Sequence, residues 1–439
     1  MLSKSNHYAT FIISITFLIM LMVYDITQLY IYAKDFPYYD QWDLLPTGSI
    51  KNIFSFHNEN LQVFYNLISE LMYKIFDWNL RYFSFVSFFF YLLVVLIYFI
   101  ILKSSSKIAY FPLFLLVILS PNLSYNWLWS LLMQTHTYIM FFLIAVYFGF
   151  ISTHKYSLYM FVLSIICSIL SMNIPLAVSL TVLYSIKEIL SQTAQNKFQN
   201  RYNALFSLQS LCIVLLILSF RKLHADFSIN LLDRMLNAQY LNLISFYISN
   251  SFSGFSFVVD NKYYNISFLL ILVIMLSVSI KEQYNHKSQR PLIAIILCIL
   301  FNMLIVVAYR MKEVYFYEGS FIRHNEVMLM LQPALFALLL NSKKPILKIY
   351  GYILLIFSLS GTAYKITEDK FSYWSNYLYK EQTTCIEYYF SAPFINIATD
   401  QWKCSRTHPH PIISKAITAK HINLSFTEKY QKYSYPYKQ

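Results

Sequence analysis

The sequence predicts an all-α, polytopic integral membrane protein with about eleven transmembrane helices. Three observations carry this. Of 439 residues, 57% are hydrophobic and only 13% charged, more apolar surface than a soluble domain needs. The apolar residues fall in successive runs near the ~17–25 residues that a bilayer core requires. Between the runs, every second loop is short and basic, the pattern of cytoplasmic loops.

The first run, roughly Tyr8 to Tyr32, is long for a signal-peptide core, and no small-residue cleavage site follows it. It is expected to remain as the first helix, over 9–32. Further spans are expected near 83–102, 108–120, 137–152, 157–172, 174–190, 204–220, 264–280, 291–309, 325–341 and 345–363. The shorter runs suit tilted, broken or partly inserted helices. Ser171-Met172-Asn173-Ile174-Pro175 separates two runs with a polar residue and a helix breaker, as a tight hairpin or a kink.

A formal net charge of +13 would suggest nucleic acid in a soluble protein. Here the charge sits in short loops and in the C-terminal tail, where topology and anionic headgroups explain it. No nucleic-acid motif is present. Lys4, Lys103, Lys107, Lys155, Lys187, Lys197, Arg201, Lys281, Lys287, Arg290, Lys343 and Lys344 all fall on one side of the expected array. The intervening segments are longer or carry acids. The first mixes Lys34, Lys51, Lys74 and Arg81 with Asp35, Asp40, Asp43, Glu59, Glu70 and Asp77. The N-terminus is therefore expected in the cytoplasm and the C-terminus outside.

This divides the chain into a membrane domain, 1–363, with a first outer loop over 34–82, and a small extracytoplasmic tail, 364–439. A second outer segment covers 221–263. Within the first loop, apolar residues recur at helical spacing from Asn60 to Tyr73, so amphipathic helices at the interface are expected there. Cys167, Cys212 and Cys298 fall in apolar runs and read as buried thiols. Cys385 and Cys404 share the tail, on the oxidising side, and a disulfide between them is favoured over two free thiols.

The most informative polar segment follows the first helix: Tyr38-Tyr39-Asp40-Gln41-Trp42-Asp43. It places carboxylates where a hydrocarbon helix emerges into water. His57-Asn58-Glu59-Asn60 follows, and then Asn79-Leu80-Arg81 before the second span. This pattern resembles the bacterial GT-C-type membrane glycosyltransferases, and within them a branch whose first outer loop carries an Asp-rich segment and a His-Asn-Glu motif. The likeness is densest over residues 35–90 and extends more loosely to Trp127–His136 and Arg310–Glu326.

The resemblance implies a GT-C-like helical fold in a bacterial inner membrane, with the active site at its outer face. It implies a sugar donor carried on polyprenyl phosphate and an acceptor that is a lipid-linked glycan, surface polysaccharide or lipid. An acidic residue of the first outer loop would serve as general base, and basic residues of other outer loops would hold the donor phosphate. The chemistry requires those types. A carboxylate must reach the acceptor hydroxyl as the glycosidic bond forms, and cations must meet the charge that grows on the leaving phosphate. Phosphate leaves readily, so no strong general acid is required.

Asp40 is the first choice as base, with Asp43 its rival. At i, i+3 spacing on a helix they would share a face, one orienting the other. The alternative is a helix cap or an interfacial charge. His57 and Glu59 either bind acceptor hydroxyls and support Asp40, or mark a helix start capped by Asn58. Arg81 either reaches a phosphate or anchors the second helix at the headgroups. Gln134 and His136 follow Asn126-Trp127-Leu128-Trp129. Those tryptophans read first as an interfacial belt and second as a platform for a sugar ring. His136 either lines the cavity or is satisfied locally.

Arg310 and Lys312 end one run, and Arg323 and His324 open the next before Glu326. Positive charge on the outer side runs against the orienting rule. Arg310 and Arg323 are therefore read as the phosphate clamp, with salt bridges to Glu313, Glu318 or Glu326 as the rival reading. His408 and His410 alternate with prolines and suggest an extended turn. No metal site and no cofactor are expected, a divalent cation being left open. There is no Walker loop, GxSxG or HExxH, and with 6 glycines in the chain a Gly-rich phosphate loop is ruled out.

Two other classes compete. A flippase or transporter of lipid-linked sugars would need charged or broken elements at mid-membrane and often repeated halves. Asp25 is the clearest ionisable residue in a span, and no repeat is visible. A polysaccharide polymerase or ligase would rely on Arg and His instead of Asp40.

Overall fold

The computed structural model describes residues 4–34, 53–54, 56–57, 60–76, 79–171, 173–190, 197–219, 238–253, 261–310 and 326–376. Their regular structure is helical except for one two-residue antiparallel pairing, β1 (Phe56–His57) with β2 (Asn60–Leu61). Six helices among these residues are long and apolar enough to cross a membrane: Asn6–Tyr32, Leu80–Ser105, Ser130–Phe150, Lys262–Gln283, Lys287–Ala308 and Pro345–Thr367. Their outward faces are apolar. Phe17 and Val23 near the N-terminus, Leu270 and Ile274 in the middle, and Ile349, Ile353 and Ile356 late in the chain all point away from the protein. Apolar surface on that scale has lipid as its natural neighbour. The chain is an all-α membrane protein.

The expected count of about eleven helical spans is not reproduced. Ser157–Leu170 and Glu326–Asn341 are shorter apolar helices. Ile174–Leu190 has 17 residues, at the lower limit for crossing. The run 108–120 is not a regular helix. It folds as a turn, a 3-10 helix over Phe111–Leu116 and further turns. Phe114, Leu115, Val117, Ile118 and Leu119 are almost wholly buried, so this run is apolar because protein, not lipid, surrounds it. Irregular backbone is tolerated at membrane depth only in such surroundings.

In chain order we label the helices α1 (Lys4–Tyr32), α2 (Val63–Phe76), α3 (Leu80–Ser105), α4 (Ser124–Leu128), α5 (Met133–Phe150), α6 (Ser157–Leu170), α7 (Ile174–Leu190), α8 (Lys197–Ser219), α9 (Ala238–Ser251), α10 (Lys262–Gln283), α11 (Arg290–Arg310), α12 (Glu326–Asn341), α13 (Pro345–Thr367) and α14 (370–376). The irregular segment 106–132 runs the length of the bundle. It starts with Phe111 against Phe11 and Phe99 and ends with Trp127 against Phe88 and Phe371.

The two ends of the bundle differ. At one, which we call the Ser105 end, the Gln289 amide donates to the Ser105 carbonyl at 2.6 Å and Glu282 accepts from the Ser342 hydroxyl and the Lys343 amide. At the other, the Tyr32 end, the Arg81 guanidinium donates to the Tyr30 carbonyl at 2.6 Å, and the Ser375 hydroxyl donates to the Tyr32 carbonyl at 2.7 Å. The loops around Lys103, Lys281, Lys287 and Lys343 thus gather at the Ser105 end. Helix α13 continues to Thr367, past the expected domain boundary at 363, and Phe371 and Trp374 of α14 are buried in the bundle.

Local chemistry sets the breaks. Asn173 accepts from the Leu176 amide at 2.9 Å and caps α7, so the Ser171–Pro175 stretch is a hairpin between α6 and α7. Within α12, Pro333 cannot donate a backbone hydrogen bond, and the helix breaks at Met330. The Tyr98 hydroxyl fills the gap by donating to the Met330 carbonyl at 2.6 Å and accepting from the Ala334 amide at 3.0 Å.

One glycine is required by a close approach. A Cβ on Gly361 of α13 would overlap the backbone carbonyl of Ser253, the small-residue contact that lets membrane helices meet. Gly361→Ala is expected to force α13 from the end of α9 and cost ~1–3 kcal/mol, the range for overpacking. Thermal unfolding of the purified protein in detergent measures it, and an unchanged midpoint would contradict the contact.

Candidate functional site

At the Tyr32 end, α3 begins with Asn79 as its cap, accepting from the Tyr82 amide at 3.2 Å. Two residues on, Arg81 reaches across to the last turn of α1, where its cation also lies over the Tyr30 ring at 4.8 Å. Carbonyls at a helix C-terminus lack partners and carry partial negative charge. Arg81 supplies both a donor and a cation. It therefore ties α3 to the exit of α1, the point from which the Asp40 segment departs.

The polar centre lies deeper. Ser87 of α3, Asn126 of α4, His136 of α5 and Glu326 of α12 are all fully buried. The Asn126 amide donates to Glu326 Oε2 at 2.8 Å. His136 Nε2 approaches Glu326 Oε1 at 3.3 Å, close enough for an ion pair but not aligned as a hydrogen bond. Nδ1 of the same ring sits 3.1 Å from the Ser87 hydroxyl and 2.9 Å from its carbonyl. The Tyr91 ring packs edge-on against His136 at 5.0 Å, and its hydroxyl donates to the Ile118 carbonyl. The irregular segment, α3, α5 and α12 are thus bound together by one buried polar cluster.

These positions change several expectations. Trp127 and Trp129 are not an interfacial belt, since both are buried, with Trp127 packed on Phe88, Tyr91 and Phe371. Glu326 faces Asn126 and His136 across the bundle, so His136 is held over a long range and not only locally. Gln134 is buried at the start of α5, and its side-chain oxygen has no hydrogen-bond partner among the described residues. His57 pairs with Asn60 in the β-ladder, and the helix that follows starts only at Val63. His57 itself is therefore not a helix start, and Asn58 and Glu59 lie outside the described residues. That helix, α2, turns Asn66, Ser69 and Glu70 inward and leaves Leu71, Ile75 and Phe76 exposed. The same helix buries Val63, Tyr65 and Met72 against the bundle, so apolar residues lie on both its inner and outer sides. Of the three cysteines in spans, only Cys298 is buried, and Cys212 faces outward.

Arg310 ends α11. Asp40, Asp43, Glu59, Lys312, Arg323, His324, Cys385 and Cys404 lie outside the described residues. Among the described residues, no group of three or more His, Cys, Asp or Glu side chains is placed to hold a metal ion. Ser87 and Tyr91 were not singled out in the sequence. A serine and a tyrosine in an apolar run give no signal of their own there.

Just past α13, Glu368 forms a small charged lock with Lys365 at 2.7 Å and Lys370 at 3.2 Å. Partial burial raises its carboxyl, but hydrogen bonds from Lys365, Tyr364 and Lys370 outweigh that and bring it down to about 2. Because the folded value lies below the ordinary ~4.3, the stabilisation is complete above the unfolded value. It is lost as pH falls from there through the folded one. Unfolding followed across that acid range is expected to show this slope in the wild type and a flatter one in Glu368→Gln.

Comparison with known protein families, with characterised proteins and with solved structures finds no match to this chain.

Proposed function

We propose that this protein is a GT-C-type membrane glycosyltransferase. It takes a sugar from polyprenyl phosphate and passes it to a lipid-linked glycan, surface polysaccharide or lipid. Asp40, with Asp43 beside it, removes the acceptor proton. Arg310 and Arg323, aided by Lys312 and His324, hold the departing phosphate. His57, Glu59, Gln134 and His136 line the approach, and Arg81 fixes the root of the first loop.

One observation carries this reading. The described anchors of several segments that bear candidate residues meet toward the Tyr32 end: the last turn of α1, the cap of α3 and, deeper, the starts of α5 and α12. The basic loops gather at the opposite end, and if that end faces the cytoplasm, the Tyr32 end is the outer face of a bacterial inner membrane. The proposed topology counts the irregular segment, α6, α7, α8 and α12 as further passes beside the six long apolar helices, about eleven in all, and puts the C-terminal tail outside.

The test is transfer of radiolabelled sugar from polyprenyl-phosphate donors to membrane lipid extract, comparing wild type with Asp40→Asn and Asp43→Asn. Transfer that survives both substitutions moves the base elsewhere. A second reading, a flippase for lipid-linked sugars, draws on the buried Asp25 and the His136–Glu326 pair, because intramembrane ionisable groups often mark transport paths. Flux of lipid-linked sugar without transfer would favour it.

A further inference from the structure

At the Ser105 end, two tyrosines from distant parts of the chain meet on the outer surface. Tyr110 belongs to the irregular segment and Tyr352 to the second turn of α13, and their hydroxyls lie 2.6 Å apart. The rings stack with centroids at 6.3 Å. In such a pair one hydroxyl donates to the other, and the accepting one still has its own proton to give. Among the described residues nothing else bonds to either hydroxyl. Lys348 stands one turn before Tyr352 on the same face of α13. Long side chains on a helix lean toward its N-terminus, so the Tyr352 phenol leans over the turn that carries Lys348. Lys348 is exposed and pairs with none of the described carboxylates. Glu282, an acid of this end, is taken up by the Ser342 hydroxyl and the Lys343 amide. Beside the phenols, Ile349, Ile353 and Ile356 turn outward along α13. A cation, a free phenolic proton and an apolar stripe thus share one side of one helix.

We propose that this side of α13 holds the phosphate of an anionic phospholipid. Lys348 and the free phenolic proton meet the phosphate oxygens, and the acyl chains run down Ile349, Ile353 and Ile356. Lys107, exposed in the connection that leads to Tyr110, adds a second cation at the same end. A basic loop attracts any anionic surface without the help of phenols. The bonded hydroxyls and the lipid-facing stripe beside them are what distinguish this place from the other basic loops. A zwitterionic headgroup brings its own cation, which Lys348 repels, so the anionic class is preferred. No bond is made or broken. The site is independent of the glycosyl-transfer reading and of which side of the membrane the Ser105 end faces.

Native mass spectrometry tests it, with the full chain released from micelles that hold phosphatidylglycerol and phosphatidylcholine in equal amounts and with the same acyl chains. The wild type is expected to retain phosphatidylglycerol in preference. Lys348→Gln is expected to weaken that retention about fivefold, the effect of one cation at a membrane surface. Tyr110→Phe combined with Tyr352→Phe is expected to weaken it about fivefold too, the scale of a lost hydrogen bond. Lys287→Gln removes the same charge from another connection at this end and is expected to leave retention near wild type. No preference in the wild type overturns the proposal. Equal losses in Lys287→Gln and Lys348→Gln overturn it as well, and so does unchanged retention in the phenylalanine pair. Photoreactive phosphatidylglycerol crosslinked to the unaltered chain gives a second reading that depends on no variant. Label is expected on residues 107–110 and 346–353, and label found only elsewhere counts against the site.

Discussion

On the proposed glycosyl-transfer reading, Asp40→Asn is expected to lower sugar transfer by about 10²–10⁴-fold, the contribution of a positioned general base, while donor binding stays near wild type. The amide keeps the shape and loses only the ability to accept the acceptor proton. The loss should therefore appear in kcat, with KM for the donor little changed. Arg323→Ala should behave differently, because a phosphate ligand serves both binding and the growing charge of the leaving group. That variant is expected to raise donor KM and lower kcat together. Asp43→Asn distinguishes a second base from an orienting neighbour. A loss in Asp43→Asn as large as in Asp40→Asn would show that the two act as one unit. Wild-type activity in both aspartate variants would remove Asp40 and Asp43 from the chemistry.

Glu326→Ala is expected to destabilise the folded protein by about 3 kcal/mol, the upper end of the cost of leaving buried polar partners unsatisfied. The carboxylate holds Asn126 on one side and His136 on the other, and its removal strands both inside the protein. Polar contacts in membrane proteins average only about 0.6 kcal/mol when the separated groups find other partners. Here they are fully buried, which argues for the larger figure. Unfolding free energy in detergent or bicelles, measured for Glu326→Ala, His136→Ala and the double variant, decides between the two scales. A double variant no worse than either single one would show the coupling expected of groups in contact. Additive losses of a few tenths each would show that the cluster does not bind the irregular segment to α12.

Much of the helical framework was legible because the length of an apolar run is a strong constraint in a membrane. Tyr8 to Tyr32, 83–102, 264–280, 291–309 and 345–363 all fall on long apolar helices, and Asn173 before Pro175 marked a real hairpin. The run 108–120 misled for a physical reason: a residue facing lipid and one facing the protein core are equally apolar. The same ambiguity turned Trp127 and Trp129 into a belt, when they are core residues. The deeper polar cluster was only partly legible. Asp25 stood out as a charge in a hydrocarbon run, and His136 and Glu326 were noticed one by one. Their meeting depends on how α5 and α12 cross, and sequence spacing carries no information about that. The carboxylates of the first loop rest on residue type and position alone.

The irregular segment 106–132 also bears on how the protein is made. A helix satisfies its own backbone and can leave the insertion machinery for lipid one piece at a time. This stretch does so less completely, because its turns leave carbonyls such as those of Ile118 and Leu128 to the Tyr91 and Ser84 hydroxyls of α3. Phe336 of α12, which packs on Phe114 of the segment, is synthesised more than two hundred residues later. The segment must wait, sheltered beside α1 and α3, until the late helices arrive to enclose it. Biogenesis of this protein is therefore expected to have a late, cooperative step, with chains truncated before α12 exposing residues 106–132 to protease or quality control.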